Sequence, residues 1–305
     1  ETKMDYKAEI KKLAKEKDAI ILAHNYQVDD IQDIADIVGD SLGLSIEASK
    51  TDKSVIVFCG VHFMAETAHM LAPDKTVLLP NMDAGCPMAD MITGPRLREF
   101  KKDYPNATTV CYVNSSAEVK SECDLCCTSG NAINVIKSID SEQIIFVPDK
   151  NLGHYVQRFT DKEIILYPGF CPIHNRLTPK QVEEMKAKYP DAEFVAHPEC
   201  PPAVVDMADH VCSTSGLYPY CKESDSKQFI IGTEKGVGYR LRKENPDKEF
   251  IFAYDNFVCK NMKKTTLKDV YDCLLNMNNV ITVDPEVTKK AVTCIERMLA
   301  IPRNE

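Results

Sequence analysis

Three cysteines in this 305-residue chain stand at matching places. In the stretch Glu163–His174 an apolar strand, opened by Asp161-Lys162, runs through Pro168-Gly169 and ends on Cys171. Cys86 follows the strand Thr76–Pro80, opened by Asp74-Lys75, and Cys259 follows Glu249–Tyr254, opened by Asp247-Lys248. The lysine-to-cysteine gaps are 11 residues for Cys86, 9 for Cys171 and 11 for Cys259, and successive cysteines lie 85 and 88 residues apart. None belongs to a C-x-x-C pair, so a zinc finger or ribbon is a poor fit. Three thiolates at one point suit either a zinc ion with an open fourth position or a [4Fe–4S] cluster with one iron free. All-sulfur ligation favours the iron–sulfur centre, because catalytic zinc usually includes histidine or carboxylate. A free iron would act as a Lewis acid on a substrate oxygen or nitrogen. The plain alternative is three buried thiols packed as hydrophobes, and their repetition argues against it.

A second set of residues repeats in the same way. His24 to Ser41, Tyr112 to Ser129 and His197 to Thr214 each span 17 residues, and Asp36, Asp124 and Asp209 stand five residues before the hydroxyls. Tyr26, Asn114 and Glu199 form a further ring of equivalents, two residues past His24, Tyr112 and His197. The hydroxyl residues sit where helices should begin and read as N-caps. Three such helix starts aimed at one place would also bind phosphate or carboxylates. Glu199 reads as a general acid/base and Tyr26 as a second proton donor, with His24 and His197 beside them. His174, three residues after Cys171, can reach the same place.

The elements that must position these groups alternate between strand and helix. In the first copy the pattern predicts strand Ala19–Ala23, helix Ile31–Ile37, a helix from Ser41 to Ser49, strand Ser54–Phe58, helix His62–Leu71 and strand Thr76–Leu79. Helices Arg96–Tyr104 and Pro179–Tyr189 link the copies, and helices Leu267–Asn276 and Pro285–Ala300 end the chain. The predicted class is α/β, with three homologous three-layer αβα domains carrying short parallel sheets around a pseudo-threefold axis. Their expected bounds are 18–104, with an N-terminal helix over 5–17, then 105–189 and 190–280; residues 281–305 pack a C-terminal helix on the body. Ligands of parallel sheets sit beyond the carboxyl ends of strands, where both rings of residues and all three cysteines fall. The same register assigns Cys126 and Cys127 to strand positions aligned with Val38, Val211, Gly39 and Cys212. The Cys123-Asp-Leu-Cys126 pair is therefore packing rather than a redox or zinc motif. Gly232-Thr-Glu-Lys-Gly236 reads as a strand–helix turn rather than a phosphate loop, since it matches neither established glycine pattern.

Composition narrows the classes further. A net charge of -9 and a pI near 5.4 argue against nucleic acid held in a basic groove. No run of 18 apolar residues predicts a membrane span, and the charged start Glu1–Lys7 lacks a signal-peptide core. Thirteen cysteines in a long, regularly patterned chain suit a reducing cytoplasm, not a disulfide scaffold. A non-catalytic iron–sulfur carrier is disfavoured by three ligands in place of four and by the polar rings around them.

Several stretches together resemble the quinolinate synthase family: His24-Asn-Tyr-Gln, Gly39-Asp-Ser41, Tyr112-Val-Asn114, Cys127-Thr-Ser129, Pro148-Asp-Lys-Asn-Leu-Gly153, His197-Pro-Glu199 and Cys259-x-x-Met-Lys-Lys-x-Thr-Leu267. The resemblance runs from Ala23 to Leu267 and implies three α/β domains around a pseudo-threefold axis. It implies condensation of iminoaspartate with dihydroxyacetone phosphate to quinolinate, with loss of phosphate and two waters, in de novo NAD biosynthesis. It further implies a [4Fe–4S] cluster on Cys86, Cys171 and Cys259, and substrate binding by His24, Ser41, Tyr112, Asn114, Ser129, His197, Glu199 and Thr214. Tyr26 matches the family's catalytic tyrosine. Functional coupling to an aspartate oxidase or dehydrogenase that supplies iminoaspartate follows from the same likeness. Some members carry a C-x-x-C-x-x-C run around the third ligand; Cys259 stands alone, so no disulfide switch is expected there.

Overall fold

Among the described residues, twelve short strands build three separate parallel sheets. β1 (Ala19–His24), β2 (Ile37–Gly39), β3 (Val55–Cys59) and β4 (Thr76–Leu78) form the first. β5 (Thr108–Tyr112), β6 (Leu125–Cys127), β7 (Gln143–Val147) and β8 (Glu163–Leu166) form the second. β9 (Glu193–Ala196), β10 (His210–Val211), β11 (Gln228–Gly232) and β12 (Glu249–Phe252) form the third. The strand order is the same each time: β2-β1-β3-β4, β6-β5-β7-β8 and β10-β9-β11-β12. Helices flank each sheet, so the α/β class with three αβα units is as expected. The computed structural model describes residues 3–304. Glu1, Thr2 and Glu305 lie outside the described residues, so the charged start is seen from Lys3 and the 281–305 unit as far as Asn304.

The repeated aspartates explain why the order recurs. Asp36 donates its N–H to Ile21 O at 2.8 Å and accepts from Ile21 N at 2.7 Å through its carboxylate. Asp124 does the same with Thr109 at 3.0 and 2.9 Å, and Asp209 with Phe194 at 2.8 Å for both bonds. Each aspartate thus clamps the start of an edge strand to the first strand of its sheet. This clamp corrects the helix expected over Ile31–Ile37. The helix runs Asp29–Ile34, and Asp36 then turns the chain so that Ile37–Gly39 pairs with β1.

The middle strands are apolar and covered on both faces; β3 is buried along its whole length. Packing also crosses the order of the chain. The helix Leu267–Asn276 follows the third sheet, yet Val270, Cys273 and Leu274 pack with Ile10 and Leu13 of the helix Tyr6–Glu16 and with Ile21 and Val57 of the first sheet. The final helix Pro285–Leu299 rests on β6 and on the helix His62–Leu71, with Cys294 and Ile295 buried. No helix among the described residues is long and apolar enough to cross a membrane.

Candidate active site

The strand ends of all three sheets open into one cavity of about 330 Å³. His24 ends β1, Tyr112 ends β5 and His197 directly follows β9; Tyr26, Asn114 and Glu199 stand two residues beyond each. These six residues line the cavity, as do Ser41, Ser129, Thr214 and His174, and so do Cys86, Cys171 and Cys259. Every candidate site residue named from the sequence therefore lines one space.

The three cysteines share a local structure. Each precedes a tight helical turn: Ala89–Met91 after Cys86, Pro172–Asn175 after Cys171, and Asn261–Lys263 after Cys259. Backbone N–H groups of those turns donate to the sulfurs, from Met88 and Ala89 to Cys86, from His174 to Cys171, and from Asn261 and Met262 to Cys259. All three thiols are half-buried and free, whereas nine of the other ten cysteines are buried. Burial pushes the Cys86 thiol up to about 12 and raises Cys171 and Cys259 as well. Becoming thiolates in this setting requires a compensating cation. Three such sulfurs on one cavity, each met by N–H donors, fit a metal cluster, in which hydrogen bonds to sulfur tune the metal. Cys126 and Cys127 lie buried in β6, with Cys126 Sγ 3.0 Å from Cys294 Sγ, and they do not line the cavity.

A different metal set is also close at hand. The ligand atoms of Cys171, His174 and Glu199 lie within 4.8 Å of one another. His174 Nδ1 is 2.9 Å from Glu199 Oε2 and 3.2 Å from Cys171 Sγ. A single ion taken there would leave Cys86 and Cys259, with their matching turns, unused.

The polar ring is joined by hydrogen bonds. The Tyr112 phenol donates to Glu199 Oε1 in a short bond. His174 Nε2 is 2.8 Å from Thr233 Oγ1, which is 2.9 Å from the Tyr26 hydroxyl; that hydroxyl is also 3.0 Å from Thr214 Oγ1. One chain of contacts therefore runs from Glu199 through His174 and Thr233 to Tyr26. Burial alone would raise the Glu199 carboxyl, but His197, His174 and the Tyr112 bond hold it below the usual carboxylate range. Burial, with Glu199 nearby, raises the Tyr26 and Tyr112 phenols well above their ordinary values. Burial likewise depresses His24 to about 4 and His197 to about 3, so both rings are neutral near pH 7. The Asn114 side-chain oxygen is buried without a partner at the cavity wall.

The hydroxyls are not themselves the helix caps. Asp40 caps the helix Ser41–Lys50, accepting from Gly43 N at 2.9 Å, and Ser213 caps Thr214–Glu223, accepting from Gly216 N at 3.4 Å. The residue before performs the capping, and Ser41 and Thr214 line the cavity. Ser129 lies two residues before Asn131, the residue at the start of the helix Ala132–Lys137.

One acid and its neighbours were not singled out from the sequence. Glu234 is fully buried at the cavity wall, accepts from Cys259 N at 3.1 Å and pairs with Lys263 Nζ at 3.0 Å. Lys263 also donates to Tyr26 O in a short bond. A Cβ on Gly236 would lie 2.6 Å from Tyr26 Cα, so only glycine lets this turn pack against the Tyr26 turn. The Gly232–Gly236 turn, read as mere connection, thus carries Thr233 and Glu234. Its position at the carboxyl end of a parallel strand, β11, was the available signal.

Comparison with known proteins agrees with this geometry. The family model described as quinolinate synthetase A protein matches residues 8–300. Quinolinate synthase from Geobacter sp. (strain M21) is 58% identical over 303 residues, 99% of this chain and 100% of that protein. Its counterpart from Geotalea uraniireducens (strain Rf4) is 58% identical over 98% of this chain and 99% of its own length. That of Geobacter metallireducens is 56% identical over 98% of both chains. A match along nearly the whole chain, with more than half of the residues identical, shows that this chain belongs to the quinolinate synthase family.

Proposed function

We propose that the protein condenses iminoaspartate with dihydroxyacetone phosphate, releasing phosphate and two waters to give quinolinate for de novo NAD biosynthesis in the cytoplasm. The observation that carries this reading is the meeting of thirteen sequence-selected residues, three of them half-buried thiols, on one cavity. Cys86, Cys171 and Cys259 would hold a [4Fe–4S] cluster, and residues 18–104, 105–189 and 190–280 are the units that bring them together, with the unit that begins at 281 packed behind as far as Asn304. When bound, such a cluster supplies Lewis acidity at an iron lacking a protein thiolate.

The chain's own residues would do the rest. Glu199, held ionised by its donors, accepts protons from substrate carbon or nitrogen. Tyr26, held neutral, donates to a leaving hydroxyl, with Thr214 and Thr233 fixing its ring oxygen. In the turns after β1 and β9 the Nδ1 atoms of His24 and His197 accept from the N–H two residues on, which leaves Nε2–H of each neutral ring to donate to substrate oxygens. Ser41, Ser129, Thr214, Tyr112 and Asn114 orient phosphate and carboxylates, and His174 holds Glu199. Coupling to an aspartate oxidase or dehydrogenase would provide the short-lived imine.

Protein purified without oxygen should form quinolinate from the two substrates; a cluster-loaded preparation making none would contradict the reading. A second reading, a single ion on Cys171, His174 and Glu199, rests on their mutual approach within 4.8 Å. Zinc without iron or sulfide in that preparation would favour it.

A further inference from the structure

Three carboxylates line the cavity, Asp40, Glu199 and Glu234, and two of them are matched by a cation. Lys263 pairs with Glu234 at 3.0 Å. Asp40 is matched by Arg303, from the last described turn of the chain, through two bonds of 2.8 Å: Nη1 to Oδ2 and Nη2 to Oδ1. This forked geometry is the strong form of the ion pair. Asp40 is only 6% exposed, caps the helix that begins at Ser41, and also bonds Ser215 of the third unit. Burial would raise the Asp40 carboxyl; Arg303 and the other donors instead keep it below its ordinary range.

Arg303 is held by a dedicated strap. Asn131 Nδ2 donates to Met298 O and Ile301 O, both at 3.2 Å. Asn134 Nδ2 donates to Pro302 O at 3.1 Å and Arg303 O at 2.8 Å, and Asn304 N donates to Gly130 O at 2.8 Å. A Cβ on Gly130 would lie 2.8 Å from Arg303 Nη1, so glycine leaves the space that the guanidinium fills. Arg303 therefore reaches from the turn carrying Ser129 to the cap beside Ser41.

We propose that Arg303 is a positioning residue of the cavity: it neutralises Asp40, so that the wall shared by Ser41 and Ser129 accepts an anionic substrate group. This rests on the reading of the cavity as a site for phosphate- and carboxylate-bearing substrates. An unpaired Asp40 would repel such a group across a wall of low dielectric. Replacing Asp40 with asparagine would remove that repulsion and keep the cap, because asparagine caps as well as aspartate.

The test compares the intact, cluster-loaded protein with Arg303→Gln, Asp40→Asn and the double variant. Inorganic phosphate binding is followed by calorimetry, and KM and kcat are measured for each substrate. Arg303→Gln should weaken phosphate binding and raise the KM of the phosphate-bearing substrate on the order of tenfold, with less change in kcat. The double variant should return both to within about threefold of the parent, and Asp40→Asn alone should bind phosphate no more weakly than the parent. A merely structural role predicts that the double variant is no better than Arg303→Gln, which would overturn the proposal. Equal binding by all four proteins would overturn the role of Arg303 alone. No binding by the parent would overturn the anion reading of the cavity and the role of Arg303 with it.

Discussion

The turns after β1 and β9 follow one backbone path and end on different acids. In the first, Tyr26 N donates to His24 Nδ1 at 3.1 Å; in the other, Glu199 N donates to His197 Nδ1 at 3.1 Å. Both histidines are buried, neutral and fixed in the same tautomer. The surroundings of the acids then diverge. The Tyr26 hydroxyl meets the hydroxyls of Thr214 and Thr233, and burial, with Glu199 nearby, keeps its proton on. Glu199 lies beside His197 and meets the His174 ring and the Tyr112 phenol, and together they keep its proton off. Repetition supplied the backbone, while the partners split one position into a protonated phenol and an ionised carboxylate, the donor and acceptor of the proposed reaction. Environments that push two titratable groups apart are the mark of an acid–base pair.

The second unit shows what the split depends on. Its turn carries Tyr112 and Asn114 in place of a histidine and an acid. Tyr112 does not serve its own unit but reaches across to Glu199.

Removing the acceptor should have the largest effect on this contrast. Glu199→Gln keeps the shape and loses the charge, and turnover should fall about 10²–10⁴-fold with the cluster retained. Activity near the parent's would break the assignment. Tyr26→Phe removes the donor and leaves Thr214 and Thr233 facing the ring; a smaller loss of about 10²-fold is expected, because those hydroxyls and water can still supply a proton. A loss larger than that of Glu199→Gln would reverse the ranking.

The smallest effect concerns the histidines that the two turns share. His24 is neutral when folded, titrating at about 4 against 6.5 in the unfolded chain. Between these values the unfolded chain binds a proton that the folded protein does not. Its contribution to stability is thus complete above pH 6.5 and lost as the pH falls toward 4. His197, at about 3, acts in the same direction. Each should lower stability by up to about 1.4 kcal/mol per pH unit in this window. Denaturant unfolding between pH 7 and 4 measures the slope, and His24→Gln should flatten it; an unchanged slope would show that His24 does not titrate on unfolding.

Much of this was legible in the chain because the repeat could be counted. The equal 17-residue spans from His24, Tyr112 and His197 fix strand end and helix start together, and the fold and the rings follow. Cys126 and Cys127 were separated from Cys171 by register, and β6 buries both. What stayed hidden was pairing between distant segments. Nothing near Asp40 points to Arg303, 263 residues away, and nothing near Tyr26 points to Thr233, 207 residues away. The strand Ile37–Gly39 was missed because a three-residue strand lacks periodicity and is held by the Asp36 clamp. The shift of capping from Ser41 to Asp40 moved one residue, within the ordinary uncertainty of helix ends.

The central claim is that three equivalent cysteines, and no others, carry one cluster. Iron and acid-labile sulfide should be counted in protein prepared without oxygen, for the parent and for Cys86→Ser, Cys171→Ser, Cys259→Ser and Cys126→Ser. The account predicts about four of each per chain in the parent and in Cys126→Ser, with loss of the cluster and of quinolinate formation in the other three while the fold survives. A cluster retained in Cys171→Ser, or lost in Cys126→Ser, would contradict it.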